Sequence, residues 1–164
     1  LSMRQRPVVA ESDQLLSQLS PETLENLEPR LRFGLSCCER VEHLLEHPEV
    51  ISCVQSFRDL MQGSKALEDH KELGARATAL ANGHHGSRSL DGVGHAAVSA
   101  TYACAAAMSG RPRQAADYVA YAMVYGQGGY AATQEPDSFL PEYRWLEQRL
   151  QALVGVGSTA NRAA

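Results

Sequence analysis

Aromatic residues are scarce here. They make up 6% of the chain, as one tryptophan, three phenylalanines and six tyrosines. Sheets draw heavily on aromatic and β-branched side chains, so this scarcity suits helices packed with alanine and leucine. No stretch alternates apolar and polar residues long enough to read as a strand, and no fixed period marks a repeat array. No run of about 18 apolar residues occurs, so no membrane span is expected. Excess positive charge is missing too: 15 Lys and Arg face 19 Asp and Glu, a net charge of −4. That gives no sign of the basic stripe that marks nucleic-acid binding. The N-terminus lacks the charged-then-apolar pattern of a secretory signal, so no such signal is expected. Phosphate-cradling glycine loops, dinucleotide fingerprints and Gly-x-Ser-x-Gly nucleophile elbows are absent. Their absence lowers the expectation of an enzyme, and no cofactor and no metal is expected.

What is present is an uncharged, alanine-rich run. Between Ala96 and Met108 no residue is charged. A helix that is uncharged all round belongs in the interior, and alanine is the best helix former. Gly110 ends this helix and Pro112 opens the next, which runs to Gly126. The short link predicts antiparallel neighbours. The segment from Leu90 to Gly126 therefore reads as a central helical hairpin.

The other segments read as amphipathic helices. The 164 residues suit one domain, burying about two-thirds of its unfolded surface. A flexible arm over residues 1–19, with a short helix at 13–19, precedes a helical domain over 20–155 and a disordered tail over 156–164. Ser20-Pro21-Glu22 resembles a capped helix start, and Pro29 interrupts that helix or begins the next. A stripe of Phe33, Cys37, Val41, Leu44 and Leu45 predicts a helix over 30–47, with Arg30 and Arg32 on its polar face. Further helices are expected over 48–62 and 64–83. Gly74 marks either a close helix contact or a break in the second. A loop is expected over 127–139 and a last helix over 141–154. The expected architecture is an all-α, single-domain bundle of five to seven helices around the alanine-rich hairpin.

Four groups of residues could carry chemistry. His43-Leu44-Leu45-Glu46-His47 matches the H-x-x-E-H pattern, in which two histidines on one helix face bind zinc. His47 stands before Pro48, however, at a fraying helix end, and an exposed end is the simpler reading. His84 and His85 occupy a glycine-flanked loop. With Asp91 and His95 they could form a metal or acid–base cluster, or simply a solvated loop. Tyr118, Tyr121 and Tyr125 fall at i, i+3 and i+7 and share a helix face, with Tyr102 placed to meet them across the hairpin. This stripe is either a core seam or the wall of a site. The four cysteines, Cys37, Cys38, Cys53 and Cys104, read as small buried hydrophobes. Cys37 and Cys38 are adjacent, point to different helix faces and make a poor metal pair.

Five segments carry a resemblance. Cys37-Cys38-Glu39-Arg40-Val41, Phe57-Arg58 through Gly63, Gly94-His95-Ala96-Ala97, Ala120-Tyr121-Ala122 and Glu142-Tyr143-Arg144-Trp145 follow one another in order. Together they resemble the all-helical immunity proteins of bacterial polymorphic toxin systems, the group called immunity protein 5, over roughly residues 35 to 150. Histidines of that family stand where this chain has Thr101 and Gln114. The resemblance implies an all-helical cytoplasmic protein that neutralises a toxin-like protein partner, and it supplies no catalytic residue. Three functions are thus open. The first is a toxin-neutralising binding protein. The second is a small-molecule-binding protein or enzyme with its site at His84, His85, His95 and the tyrosines. The third is a homodimer formed through an alanine-rich face.

Overall fold

The computed structural model describes residues 10–19, 22–84 and 93–163. The described chain folds into seven α-helices, with no strand among them: α1 (Ala10–Ser17), α2 (Leu27–Val41), α3 (Pro48–Met61), α4 (His70–Asn82), α5 (Val93–Met108), α6 (Pro112–Thr133) and α7 (Leu140–Ala163). None of these helices is long and apolar enough to cross a membrane.

The alanine-rich run is the centre of the bundle, as expected. α5 packs against α6, α4 and α2, and Ala96, Ala97, Ala100, Ala103 and Ala107 are buried. Side chains this small contribute little area each, so α5 gains its packing through close approach of its neighbours. Gly34 of α2 and Gly74 of α4 provide that approach. A Cβ on Gly34 would lie 2.8 Å from the Ala107 carbonyl oxygen, and one on Gly74 would lie 2.6 Å from Ser109 Oγ. Gly74 is therefore a close contact and not a break. Thr101, fully buried in α5, donates its hydroxyl to the Ala97 carbonyl at 2.8 Å, the local back-bond that lets threonine enter an apolar helix. Because these alanines are covered by the chain's own helices, they offer no free face for a dimer.

Several boundaries differ from the sequence reading. Ser20 and Pro21 lie outside the described residues, and the second helix begins only at Leu27. Pro29 falls in its first turn, where a missing N–H costs nothing. Arg30, read as part of a polar face, is buried. The expected helix over 30–47 stops at Val41, because Glu42–Leu44 tighten into a 3-10 turn and Leu45 is extended at φ −71, ψ 132. Before α4 the chain makes a second 3-10 turn at Leu67–Asp69, so the helix expected from Ser64 starts at His70. α1 brings Leu16 into the core and packs against α7. α7 continues past Val154 to Ala163 through Gly155 and Gly157, since each glycine costs a helix about 1 kcal/mol without forbidding it.

Arg40 of α2 ties α7 to the bundle. Its guanidinium donates two hydrogen bonds to the Glu142 carboxylate, each 2.8 Å long, and lies 4.7 Å above the Trp145 ring centre. Glu142 is buried, so this fork-to-fork pair fixes the orientation of the helix that carries it.

Candidate functional site

α5 and α6 run antiparallel, so residues near the start of α5 meet residues late in α6. Tyr102 stacks on Tyr118 with ring centres 5.4 Å apart, and one end further along His95 stacks on Tyr125 at 5.6 Å. The expected tyrosine stripe therefore divides. At about 100° per residue, Tyr118 and Tyr121 differ by about 60° around α6 and lean towards different neighbours. Tyr118 joins Tyr102, whose hydroxyl donates to Asn82 Oδ1 at 3.0 Å. Tyr121 joins Tyr125, with ring centres 6.2 Å apart, and meets Phe139 edge-on at 5.5 Å.

The second group grows into an aromatic cluster. Tyr130 sets its ring edge-on to His95 at 4.9 Å and to Tyr125 at 5.7 Å. Phe139 and Tyr143 extend the cluster below, with ring centres 6.5 Å apart. Tyr121, Tyr125 and Phe139 form its buried layer, while His95 and Tyr130 are exposed, Tyr130 by 48%. Tyr130 falls within the loop expected over 127–139, but α6 continues to Thr133 through a kink at Gly129. There φ is 64 and ψ is −154, a backbone region open essentially to glycine alone. The kink swings Tyr130 back over Tyr125, five residues earlier, a spacing that a straight helix would send to another face.

One polar atom in this cluster is unsatisfied. Tyr125 Oη is buried and has no hydrogen-bond partner among the described residues. The nearby Thr133 hydroxyl donates instead to the Tyr130 carbonyl at 2.7 Å. Burial pushes the Tyr125 phenol above its ordinary value, the neighbouring Tyr121 and Tyr130 add to the rise, and the Thr133 hydroxyl, near enough to interact but outside hydrogen-bond geometry, lowers it.

The remaining candidates separate. His84 is half-buried just past α4, its N–H donating to the Ala81 carbonyl at 3.1 Å. His85 and Asp91 lie outside the described residues. The zinc pattern is not formed on one helix face. His43 sits exposed in the 3-10 turn, whereas His47 caps α3, its Nδ1 accepting the Glu49 N–H at 3.2 Å. Among the described residues no three His, Cys, Asp or Glu side chains gather as a metal site would require. The four cysteines are buried free thiols. Burial drives the Cys37 and Cys38 thiols upward, with Cys104 adding to both. Since the thiolate is the nucleophile, these groups are inert in the folded state.

No protein-family model, no curated protein and no solved structure matches this chain. The site is therefore defined by its own geometry. It presents a rigid aromatic surface, a ring imidazole at its edge, and one buried hydroxyl free to bond.

Proposed function

We propose that this chain is a partner-binding protein of the immunity kind, which occludes a toxin-like protein by docking the aromatic cluster at the open end of the α5–α6 hairpin. The observation that carries this reading is Tyr130, half exposed and braced edge-on by His95 and Tyr125 above a buried aromatic layer. Tyrosines are enriched at interface cores and among binding hot spots. A ring already held in place loses little freedom on binding. Three of the segments that resemble the immunity family, around His95, Tyr121 and Tyr143, contribute to this cluster. The net charge of −4 is compatible with a basic partner such as a nuclease.

The decisive experiment is coexpression with the product of the neighbouring gene, followed by measurement of complex formation. A stoichiometric complex is expected, with Tyr130→Ala lowering affinity by about tenfold or more, the scale of an interface hot spot. Failure to form a complex sinks the immunity reading. A complex indifferent to Tyr130→Ala places the interface elsewhere.

The unsatisfied Tyr125 hydroxyl favours a second reading, in which a small molecule bonds to it beneath His95 and Tyr130. That reading requires Tyr125→Phe to abolish ligand binding. A protein interface centred on Tyr130 tolerates the same change.

A further inference from the structure

At the other end of the hairpin an open groove of about 530 Å³ lies between α4 and the α5–α6 turn. His70, Lys71, Thr78, Asn82, Ser109 and Arg111 line it, and its remaining lining residues are two alanines of α4. No carboxylate lines it, although acidic residues outnumber basic ones in the whole chain. Lys71 and Arg111 are exposed and form no ion pair among the described residues, whereas Arg32, Arg40, Arg58, Arg76 and Arg113 all do. Two unmatched cations therefore share one concavity.

His70 gives this groove a built polar group. It is 5% exposed, and its Nδ1 lies 2.8 Å from the Met108 carbonyl oxygen. A carbonyl only accepts, so Nδ1 carries the proton and the ring orientation is fixed. The opposite nitrogen, Nε2, has no hydrogen-bond partner among the described residues, and it is not among the buried atoms left unsatisfied. It therefore opens to the groove that His70 lines. Ser109 is seated beside it because Gly74 has no side chain to displace its Oγ.

We propose that this groove binds a small phosphomonoester. Its phosphate is held by Lys71 and Arg111, with His70 Nε2 and Ser109 Oγ as further contacts, and its apolar part lies along the α4 alanines towards Asn82. A dianion matches both cations, whereas a single carboxylate leaves one unmatched. The arginine fork adds directional bonds to the point charge of the lysine. The volume falls within the range of small-molecule sites. This site lies roughly 20 Å along α5 from His95 and does not depend on the partner-binding reading.

Inorganic phosphate, phenyl phosphate and benzoate can be titrated against the full chain while backbone amide NMR signals are followed. Phenyl phosphate is expected to shift signals of α4 and residues 109–111 saturably and to bind more tightly than inorganic phosphate. The double variant K71Q/R111Q should weaken it by about tenfold or more, and so should added salt. His70→Asn retains a donor for the Met108 carbonyl and removes Nε2. It should weaken binding while leaving thermal unfolding near that of the parent. No saturable shift, or equal affinity in K71Q/R111Q, overturns the proposal. Benzoate binding as tightly as phenyl phosphate overturns the assignment to phosphate.

Discussion

At the turn of the α5–α6 hairpin, Arg30 donates to the Gly110 carbonyl, to the Thr23 carbonyl and to Asn26 Oδ1, each at 2.7 Å. His70 meets the Met108 carbonyl. At the opposite end, Tyr125 keeps a buried hydroxyl with no partner among the described residues, and Gly129 breaks the regular course of α6. The last carbonyls of a helix are otherwise orphaned, and cationic donors there also suit the helix dipole. The turn end thus satisfies its buried polar groups through long-range bonds that lock the hairpin to α2 and α4. The open end tolerates an unsatisfied group and an unusual backbone, costs that concentrate where a surface is used rather than merely packed. One helix pair therefore has a stabilising end and a recognition end.

Arg30→Met tests the stabilising end most severely. The buried Gly110 carbonyl loses its donor and the part-buried bond to the Thr23 carbonyl is lost with it, and a buried acceptor left unsatisfied costs about 1–3 kcal/mol. A loss of about 3 kcal/mol is expected in urea unfolding. A loss within that of ordinary surface substitutions would mean that the turn end is not a lock. Gly129→Ala acts on the other end. Its positive φ disfavours a Cβ, so about 1–2 kcal/mol of stability should go. The larger consequence is displacement of Tyr130, read as a loss of partner affinity equal to that of Tyr130→Ala. Full affinity in this variant would show that the kink does not place Tyr130.

These two ends were unequally legible in the sequence. The uncharged run from Ala96 to Met108 announces a buried central helix, and the short link places Tyr102 to meet the α6 tyrosines across the hairpin. Periodicity reports faces of regular helices, and it failed where regularity failed. Tyr130 was invisible to it because only the Gly129 kink brings that ring over Tyr125. His43 and His47 looked like one face because the extended residues between the two helices leave no mark on a spacing pattern. Arg30 read as a solvated charge, since its acceptors are backbone carbonyls that any residue provides, one of them 80 positions away. The groove at His70 shared that fate: its tautomer is set by the backbone of Met108, which no residue type encodes.

Tyr125→Phe produces the smallest change and the one with the most telling sign. Removing a hydroxyl that has no partner removes a desolvation cost, so the variant should match or exceed the parent in stability by up to about 1 kcal/mol. The pH dependence gives an independent reading. The phenol is raised above 10.0 in the folded chain by burial, with Tyr121 and Tyr130 adding to it. Once pH passes the ordinary phenol value, the unfolded chain has released this proton while the folded chain still holds it. Stability then falls with rising pH, because the folded state binds more protons than the unfolded state. The contribution is complete below about pH 10 and is lost as pH climbs from there through the folded value. The buried Cys37 and Cys38 thiols slope the same way, but they are common to parent and variant and cancel in the difference. The parent should therefore lose stability faster than Tyr125→Phe above about pH 10, measured by urea unfolding at a series of alkaline pH values. Parallel curves, together with a stability loss in the variant at neutral pH, would mean that the hydroxyl is satisfied in solution. The open end would then be as fully bonded as the turn, and the contrast between them would rest on Gly129 alone.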